Sequence, residues 1–413
     1  MRYATFLFAC GAFAVGLAAC SGGDNTQADA GDGGDAGLEA GQVYPADHPA
    51  MPKVVTSGGP VMTAPKVVPI AFTSDSAIAD IDKFATQLGA STDYWTGATS
   101  EYGVGALTVT APIHVNETPA ANLLDGDVQS WLTNKIQTDT SFPQPDDNTI
   151  YSIFYPSGTN VSDTGGTTCV QFQGYHSDYQ LTGKHVVYAV IPRCPPPPVQ
   201  GVTVIDQTTA EASHEFVEAA TDPFPMDQPA YQLIDSNDLA WMMLGGGETG
   251  DICAAFFLSG VFYKPAGFDT LVQRTWSNAN AAASHDPCQP AGFNPYFNSA
   301  PVLPDTVHLS ASGMVGPSQG VRLGAGQSKT IELDLYSDGP TSGPWKVSAV
   351  DVGTFFGNPA VLTFSFDKDT GQNGDKLQLT ITASKSVPGG TPFWIQNDLG
   401  TQTTVWMAAV APN

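Results

Sequence analysis

The chain has 413 residues, of which 42% are hydrophobic and only 13% are charged, and it contains 43 glycines and 32 prolines. The net charge of -25, with only 15 lysines and arginines, excludes nucleic-acid binding, which needs clustered cations, and disfavours electrostatic docking on anionic lipid. The length predicts two domains plus a targeting sequence, and the turn-rich composition favours β structure over long helices.

Residues 1–19 have the features of a bacterial lipoprotein signal peptide. Arg2 supplies a positive charge, and residues 4–18 form an apolar stretch that is too short for a comfortable membrane span. The stretch ends in the letters LAAC at Cys20, which resembles a lipobox and implies a lipid anchor on that cysteine. The membrane is then a partner through this anchor. Ser21 favours an outer-membrane or cell-surface location in the bacterial cell envelope.

Three further segments follow the signal peptide. Residues 20–45 are rich in Asp, Gly and Ala and predict a flexible acidic tether. Residues 46–300 alternate between helical and strand patterns and predict an α+β domain. Residues 303–413 carry short alternating strands between turn clusters and predict a β-sandwich of the immunoglobulin-like kind.

Both domains contain segments with clear periodicity. In the first domain, strands are predicted at 66–74, 148–156 and 184–194, and helices at 75–91 and 125–138. A proline run at 195–198 closes the last of these strands. In the second domain, strands are predicted at 329–337, 345–353, 360–367, 376–384, 391–397 and 403–410.

Four cysteines downstream of Cys20 are available for disulfide bonds: Cys169, Cys194, Cys253 and Cys288. An even number of cysteines in an oxidising compartment predicts two disulfides. Three pairings are open. The absence of a Cys-x-x-Cys motif from the sequence argues against a zinc ribbon.

The segment TTAEASHEFVEAATDPFP, residues 208–225, predicts a helix with an unusual acidic motif. Thr208 and Glu211 fit a capping box at its start. Asp222 precedes a proline, which disfavours helical backbone at the residue before it and so ends the helix. Within the helix stands His-Glu-x-x-Glu, where a zinc protease carries His-Glu-x-x-His.

Residues four apart on a helix share one face, so His214 and Glu218 point the same way, and Asp222 follows one turn later. Zinc accepts imidazole nitrogen and carboxylate oxygen as ligands. Glu215 stands where His-Glu-x-x-His enzymes keep their general base. An acidic helix with a neutral packed histidine and solvated glutamates would show the same pattern.

A further ligand must come from elsewhere in the chain. Glu248 and Asp251 lie in a glycine-rich loop that a disulfide through Cys253 would hold in place. His176 and His285 also lie near cysteines. For each of these two histidines, the roles of ligand, orienting partner and structural residue are open.

Residues 60–290 contain several motifs in a fixed order, at 92–105, 150–158, 169–177, 212–224, 247–254 and 276–278. In this order they resemble the Exordium/phosphate-induced protein family of secreted proteins, over more than half of the chain. The resemblance implies a shared scaffold with a zincin-like site at His214, Glu215, Glu218, Asp222, Glu248, Asp251 and Cys253. No settled enzymatic activity comes with the family. The segment 226–246 and the C-terminal domain depart from its pattern.

Two classes of function fit these features. The first is a cell-envelope lipoprotein with a zinc-dependent hydrolase site, a zincin-like peptidase, that acts on protein or polysaccharide. The second is a non-catalytic surface adhesion or binding lipoprotein, in which a degenerate or structural metal site binds calcium or supports the fold. A glycosidase that uses two of the carboxylates fits less well, because His214 would have no role.

Overall fold

The computed structural model describes residues 43–195, 201–254, 260–311, 314–355 and 357–412. The predicted signal peptide, Cys20 and most of the tether lie outside the described residues, as do residues 196–198 of the proline run. The described chain is a mixed, β-rich structure. None of its described helices has both the length and the apolar character that crossing a bilayer requires.

The N-terminal part combines short strands with helices. The strands are β1 (Val54–Val55), β2 (Lys66–Phe72), β3 (Thr108–Val109), β4 (Ile113–Val115), β5 (Asn122–Leu124), β6 (Thr149–Phe154), β7 (Asn160–Ser162), β8 (Tyr175–Leu181), β9 (Lys184–Ile191), β10 (Leu233–Ile234), β11 (Phe262–Tyr263), β12 (Val272–Gln273), β13 (Thr275–Trp276) and β14 (Cys288–Gln289). The α-helices are α1 (Ile78–Ala90), α2 (Thr92–Thr99), α3 (Asp125–Thr138), α4 (Val204–Thr221), α5 (Thr249–Ala254) and α6 (Asn278–Ala282). Two 3₁₀ helices cover Ser100–Tyr102 and Leu239–Leu244.

A central sheet organises this part, with strand order β3-β2-β6-β9-β8 and β4 paired to β2. Its strands are parallel except β8, which runs antiparallel to β9 at one edge. β6 is buried along its whole length, as expected of a parallel strand that is covered on both faces. Phe216 of α4 packs in the core of one face and Leu132 of α3 in the core of the other. The helix with the acidic motif therefore lies against the sheet and contacts the edge strand β8.

The predicted start of the motif helix is wrong. α4 begins at Val204, and Thr203 is its N-cap residue. The amide of Asp206 donates to Thr203 Oγ1 at 3.1 Å, and the amide of Thr203 donates to Asp206 Oδ2 at 3.0 Å. This earlier pair satisfies the same capping pattern as Thr208 and Glu211, and it allows one more turn of helix to form and become buried. Both predicted capping residues consequently lie inside the helix.

The C-terminal part consists of β15 (Phe297–Pro301), β16 (Asp305–Ala311), β17 (Met314–Arg322), β18 (Ser328–Ser337), β19 (Trp345–Asp351), β20 (Leu362–Phe366), β21 (Thr370–Gly371), β22 (Lys376–Ala383), β23 (Thr391–Leu399) and β24 (Gln402–Ala411), with a short helix α7 (Val352–Phe355). All the strands predicted here are present, and their ends lie within two residues of the predicted ends. The sequence did not predict β15, β16, β17 or the two-residue strand β21. β17 contains two glycines and a proline, which hide its alternation.

Two sheets form this part, in the orders β15-β18-β22-β20 and β16-β17-β24-β23-β19-β21. They pack on one another: the rings of Phe297 and Trp345 lie 5.2 Å apart, and Ser299 Oγ donates to Asn397 Oδ1 at 2.5 Å. β15 falls within the segment assigned to the first domain, 46–300, yet it pairs with β18. The C-terminal pair of sheets therefore begins at Phe297.

The segment 226–246 connects the two parts. Its Trp241 ring lies 5.5 Å from the ring of Trp276 and 5.5 Å from that of Trp406 in β24. All three tryptophans belong to one hydrophobic core that continues into both sheets. At the beginning of the described chain, the amide of Ala46 donates to Asn373 Oδ1 at 3.0 Å, so this end is also attached to the C-terminal part.

Candidate metal centre

The acidic motif forms the middle of a buried polar cluster. His214 Nε2 on α4 lies 3.0 Å from Glu218 Oε2, one helical turn later. Glu218 Oε1 accepts hydrogen bonds from the amides of Gly250, at 3.1 Å, and Asp251, at 3.0 Å, at the start of α5. Glu218 therefore joins the two helices, and its second oxygen remains directed toward His214.

α5 adds a third side chain to this pair. Asp251 Oδ1 lies 3.9 Å from His214 Nε2. One donor atom from each of His214, Glu218 and Asp251 lies within 4.8 Å of the others, a spacing that can hold a metal ion. We call these three residues the first trio.

His176 on the edge strand β8 enters the cluster from the opposite side. Its Nδ1 lies 3.3 Å from Glu215 Oε2 and 4.0 Å from Glu218 Oε2, and its Nε2 lies 3.6 Å from Glu248 Oε1. His176, Glu218 and Glu248 also meet the 4.8 Å spacing, and we call them the second trio. The sequence left the role of His176 open because no local spacing connects it with the motif helix.

Two other candidates have different surroundings. The Asp222 carboxylate accepts from the amide of Ala230 at 2.6 Å and from Gln232 Nε2 at 2.9 Å, so it supports the loop after α4 and belongs to neither trio. Asp222 is the C-cap residue of α4, in agreement with the predicted end of the helix. His285 is half exposed and lies 2.7 Å from an Asp338 carboxylate oxygen, and it too is outside both trios.

Gln273 is a positioning residue that the sequence did not reveal. Its Nε2 lies 2.8 Å from His214 Nδ1 and donates to the carbonyl of Gly250 at 2.9 Å. Its own backbone is fixed by the hydroxyls of Tyr94, at 3.0 Å, and Ser213, at 2.9 Å. Gln273 thus holds the His214 ring and the start of α5 in one arrangement. It lies in a two-residue strand, where periodicity carries no information.

The two predicted disulfides are present, as Cys169–Cys194 and Cys253–Cys288. The first links the loop before β8 to the segment after β9, beside the strand that carries His176. The second anchors α5, which carries Asp251, to β14. These two disulfides, whose pairing the sequence left open, therefore hold the surroundings of β8 on one side of the cluster and α5 on the other.

Burial dominates the electrostatics of the cluster. It raises the pKa of Glu248 and of Asp251 well above the usual range, and the charge of Glu218 adds to both shifts. For Glu218 burial acts in the same direction and is the largest single effect, but His214, the charge of His176 and the amide of Asp251 together outweigh it, and the pKa is lowered. Burial would lower the pKa of both histidines. The charge of Glu218 nevertheless raises that of His214, and the hydrogen bond with Glu215 raises that of His176.

Several nitrogen and oxygen atoms in the cluster that could bind a metal ion have no hydrogen-bond partner. Among the described residues, no hydrogen bond reaches four buried atoms: His214 Nε2, Glu215 Oε1, Glu248 Oε1 and Asp251 Oδ2. His214 Nε2 lies 3.0 Å from Glu218 Oε2, but the pair does not form a hydrogen bond of regular geometry. Burying polar atoms in this way is costly unless a ligand satisfies them. Imidazole nitrogen with carboxylate oxygen suits zinc and related transition metals, whereas calcium prefers oxygen ligands alone. The residues therefore fit a divalent transition-metal cation.

The glycines before and within α5 leave room for these side chains. A Cβ on Gly246 would overlap Asp251 Oδ2. A Cβ on Gly250 would lie 2.7 Å from Glu218 Oε1 and 2.7 Å from His214 Nδ1. The glycines are thus explained by the close approach of the site to the backbone. The loop predicted for Asp251 is wrong, because Asp251 lies in α5, whereas Glu248 lies just before this helix.

Replacing Gly250 by alanine is expected to separate the first trio. The added methyl group forces Glu218 or His214 aside, which should cost about 1–3 kcal/mol of stability, the range for overpacking. Zinc affinity should fall about 10–100-fold, as when a group that orients metal ligands is lost. Urea denaturation and a zinc titration measure the two effects. The control is Gly126→Ala in α3, where a Cβ would meet nothing within 4 Å. Unchanged zinc affinity in Gly250→Ala would contradict this account.

Among known proteins, the chain is similar to solved structures only. No family model and no curated protein matches it. One matching solved structure is a chimeric titin Z1Z2 functionalized with a KLER peptide from decorin, which is 16% identical and covers 22% of this chain and 83% of its own. A second, titin domains Z1Z2 in complex with telethonin, is 14% identical and covers 22% of this chain and 42% of its own. A third, a chimeric titin Z1Z2-Z1Z2 tandem functionalized with a GRGDS peptide from fibronectin, is 12% identical and covers 24% of this chain and 56% of its own. Each has a TM-score of 0.16, too low to support any conclusion about this chain.

Proposed function

We propose that the protein is a metal-dependent hydrolase with a zincin-like peptidase site centred on α4. The carrying observation is that three buried ligand atoms without hydrogen-bond partners, His214 Nε2, Asp251 Oδ2 and Glu248 Oε1, belong to the two trios that share Glu218. Such atoms are expected where a cation is part of the folded protein. The resemblance of the motif order to the Exordium family supports the same site.

The roles of the residues follow from their contacts. His214, Glu218 and Asp251 hold the cation, and Gln273 orients His214. A bound divalent cation supplies Lewis acidity, which polarises a carbonyl group and lowers the pKa of water. Glu215 acts as the general base: its Oε2 is held 3.3 Å from His176 Nδ1, and its carboxylate adjoins the carboxyl group of Glu211.

The location proposed for this activity is the bacterial cell envelope. The lipobox-like sequence at Cys20 supports a lipid anchor at the outer membrane or cell surface, and the two disulfides suit an oxidising compartment. A protein or polysaccharide of that environment is the proposed substrate.

One observation favours a second candidate function, a non-catalytic adhesion or binding lipoprotein with a structural cation. The side chains of both trios and of Glu215 are all at most 8% exposed. A structural cation is typically enclosed by protein ligands, whereas a catalytic one keeps a position open for substrate.

Metal analysis of the purified protein tests the proposal. After exposure to zinc and removal of the excess, mass spectrometry is expected to find stoichiometric zinc. The zinc-loaded protein should then cleave members of a broad peptide library. Protein without stoichiometric metal would reject both candidates. Bound zinc with no cleavage of peptides or cell-wall polysaccharide would leave the structural-cation candidate.

A further inference from the structure

The two histidines of the cluster belong to different trios. His214 is grouped with Asp251, and His176 is grouped with Glu248, while Glu218 is common to both groups. We propose that the centre holds two divalent cations, one in each trio, and that Glu218 bridges them. This inference rests on the cation site of the proposed function and adds a second cation to it.

The position of Glu218 suits a bridging carboxylate. Its Oε1 is fixed by the amides of Gly250 and Asp251, so the carboxylate plane cannot turn freely. Its Oε2 lies 3.0 Å from His214 Nε2 and 4.0 Å from His176 Nδ1. One oxygen therefore faces both imidazoles, from two different elements of the fold. In dinuclear hydrolases the two cations lie about 3.5–4 Å apart, a distance that one carboxylate spans.

The buried atoms without hydrogen-bond partners are divided between the first trio and the side of the cluster that contains His176. His214 Nε2 and Asp251 Oδ2 belong to the first trio. Glu248 Oε1 belongs to the second trio, and Glu215 Oε1 is on the carboxylate beside His176. A single cation in the first trio would leave the atoms of the second side buried without a partner. A second cation satisfies Glu248 and takes one His176 nitrogen from its present partner, which is Glu215 Oε2 at 3.3 Å for Nδ1 and the carbonyl of Asp222 at 3.2 Å for Nε2.

The charge of the cluster favours more than one cation. Glu215, Glu218, Glu248 and Asp251 carry four negative charges when ionised, and among the described residues their ion pairs are with the two histidines only. The carboxyl group of Glu211 adjoins Glu215 and adds a fifth acidic group. One divalent cation would leave more than half of this charge uncompensated. Uncompensated charge is expensive at such burial, so the second cation contributes to folding as well as to chemistry.

The metal content of single variants tests the inference. Wild-type protein loaded with zinc is expected to hold two ions per chain by mass spectrometry. Asp251→Asn and Glu248→Gln each change one trio with little change in shape, and each should hold one ion. Glu218→Gln removes the shared ligand and should hold less than one. The matched control is Glu117→Gln, an exposed carboxylate paired with Lys135, which should keep both ions.

The outcomes separate this inference from the proposed function. One zinc ion in the wild type, lost in both Asp251→Asn and Glu248→Gln, would overturn the two-cation centre and leave a mononuclear hydrolase intact. Two ions with no hydrolysis would support the centre and reject the function. The wild-type stoichiometry alone decides the number, so the test does not depend on the folding of any variant. Circular dichroism of each variant then shows whether a lost ion reflects a lost ligand or a lost fold.

Discussion

Glu215→Gln is expected to lower peptide hydrolysis by about 10²–10⁴-fold, the contribution of a general base, while leaving the zinc content unchanged. Glutamine keeps the size of the side chain and can still hydrogen-bond His176, but it cannot take a proton from water. Glu215 belongs to neither trio, so cation binding does not depend on it directly. The measurements are kcat/KM on a cleaved library peptide and the zinc content of the same preparation.

One control variant and two alternative outcomes help to interpret the effect of Glu215→Gln. Glu117→Gln should retain full activity, since that carboxylate is on the surface, 2.5 Å from Lys135. Combined loss of zinc, fold and activity in Glu215→Gln would instead assign Glu215 a structural role. Full activity in that variant would remove it from the mechanism.

Arg274→Met is expected to destabilise the protein by about 3–5 kcal/mol, the cost of leaving one partner of a buried ion pair alone. Arg274 is 1% exposed, and its Nη1 donates to Asp286 Oδ2 at 2.7 Å and to the carbonyl of Cys288 at 2.6 Å. Its Nε donates to the carbonyl of Gly260 at 3.1 Å. Methionine fills much of the volume but leaves the Asp286 carboxylate without its counter-charge. Urea denaturation at neutral pH measures the loss.

The matched control is Arg322→Met, because Arg322 is exposed and its loss should change stability by at most about 0.5 kcal/mol. The double variant Arg274→Met/Asp286→Leu should recover part of the stability, since a buried ion pair can often be replaced by apolar residues. A loss below about 1 kcal/mol in Arg274→Met would show that Asp286 finds other partners and that this pair does not hold β14 in place.

Local features of the sequence predicted much of the fold. The helix expected at 125–138 is α3, residue for residue, because its first turn carries acidic residues and its apolar positions repeat at helical spacing. Six strands of the C-terminal sheets were predictable because they are short segments between turn clusters; burial alternates along β22, whereas β24 is buried over its last eight residues. The immunoglobulin-like topology stays a prediction. The start of α4 was predicted wrongly, since two capping patterns lie five residues apart and only tertiary packing selects between them.

Only those contacts of the site that join residues close together in the sequence were predictable. His214 and Glu218 share a helix face, so their proximity follows from helix geometry. The amide contacts of Glu218 cross 32 and 33 residues, and the contact between His176 and Glu215 crosses 39. No spacing rule spans these separations, because they depend on how β8 and α5 pack around α4. Gln273 had no sequence signal at all.

The shared tryptophan core can close only late in the synthesis of the chain. Trp241 packs against Trp406, and Trp406 lies in the last strand of the described chain. The segment near Ala46, at the other end, is attached to Asn373. Domains usually fold in turn as the ribosome releases them, but this core cannot close until Trp406 of β24 has been made. Under the envelope location proposed above, such late closure would keep the chain open for export, and the Cys169–Cys194 and Cys253–Cys288 disulfides would form after translocation.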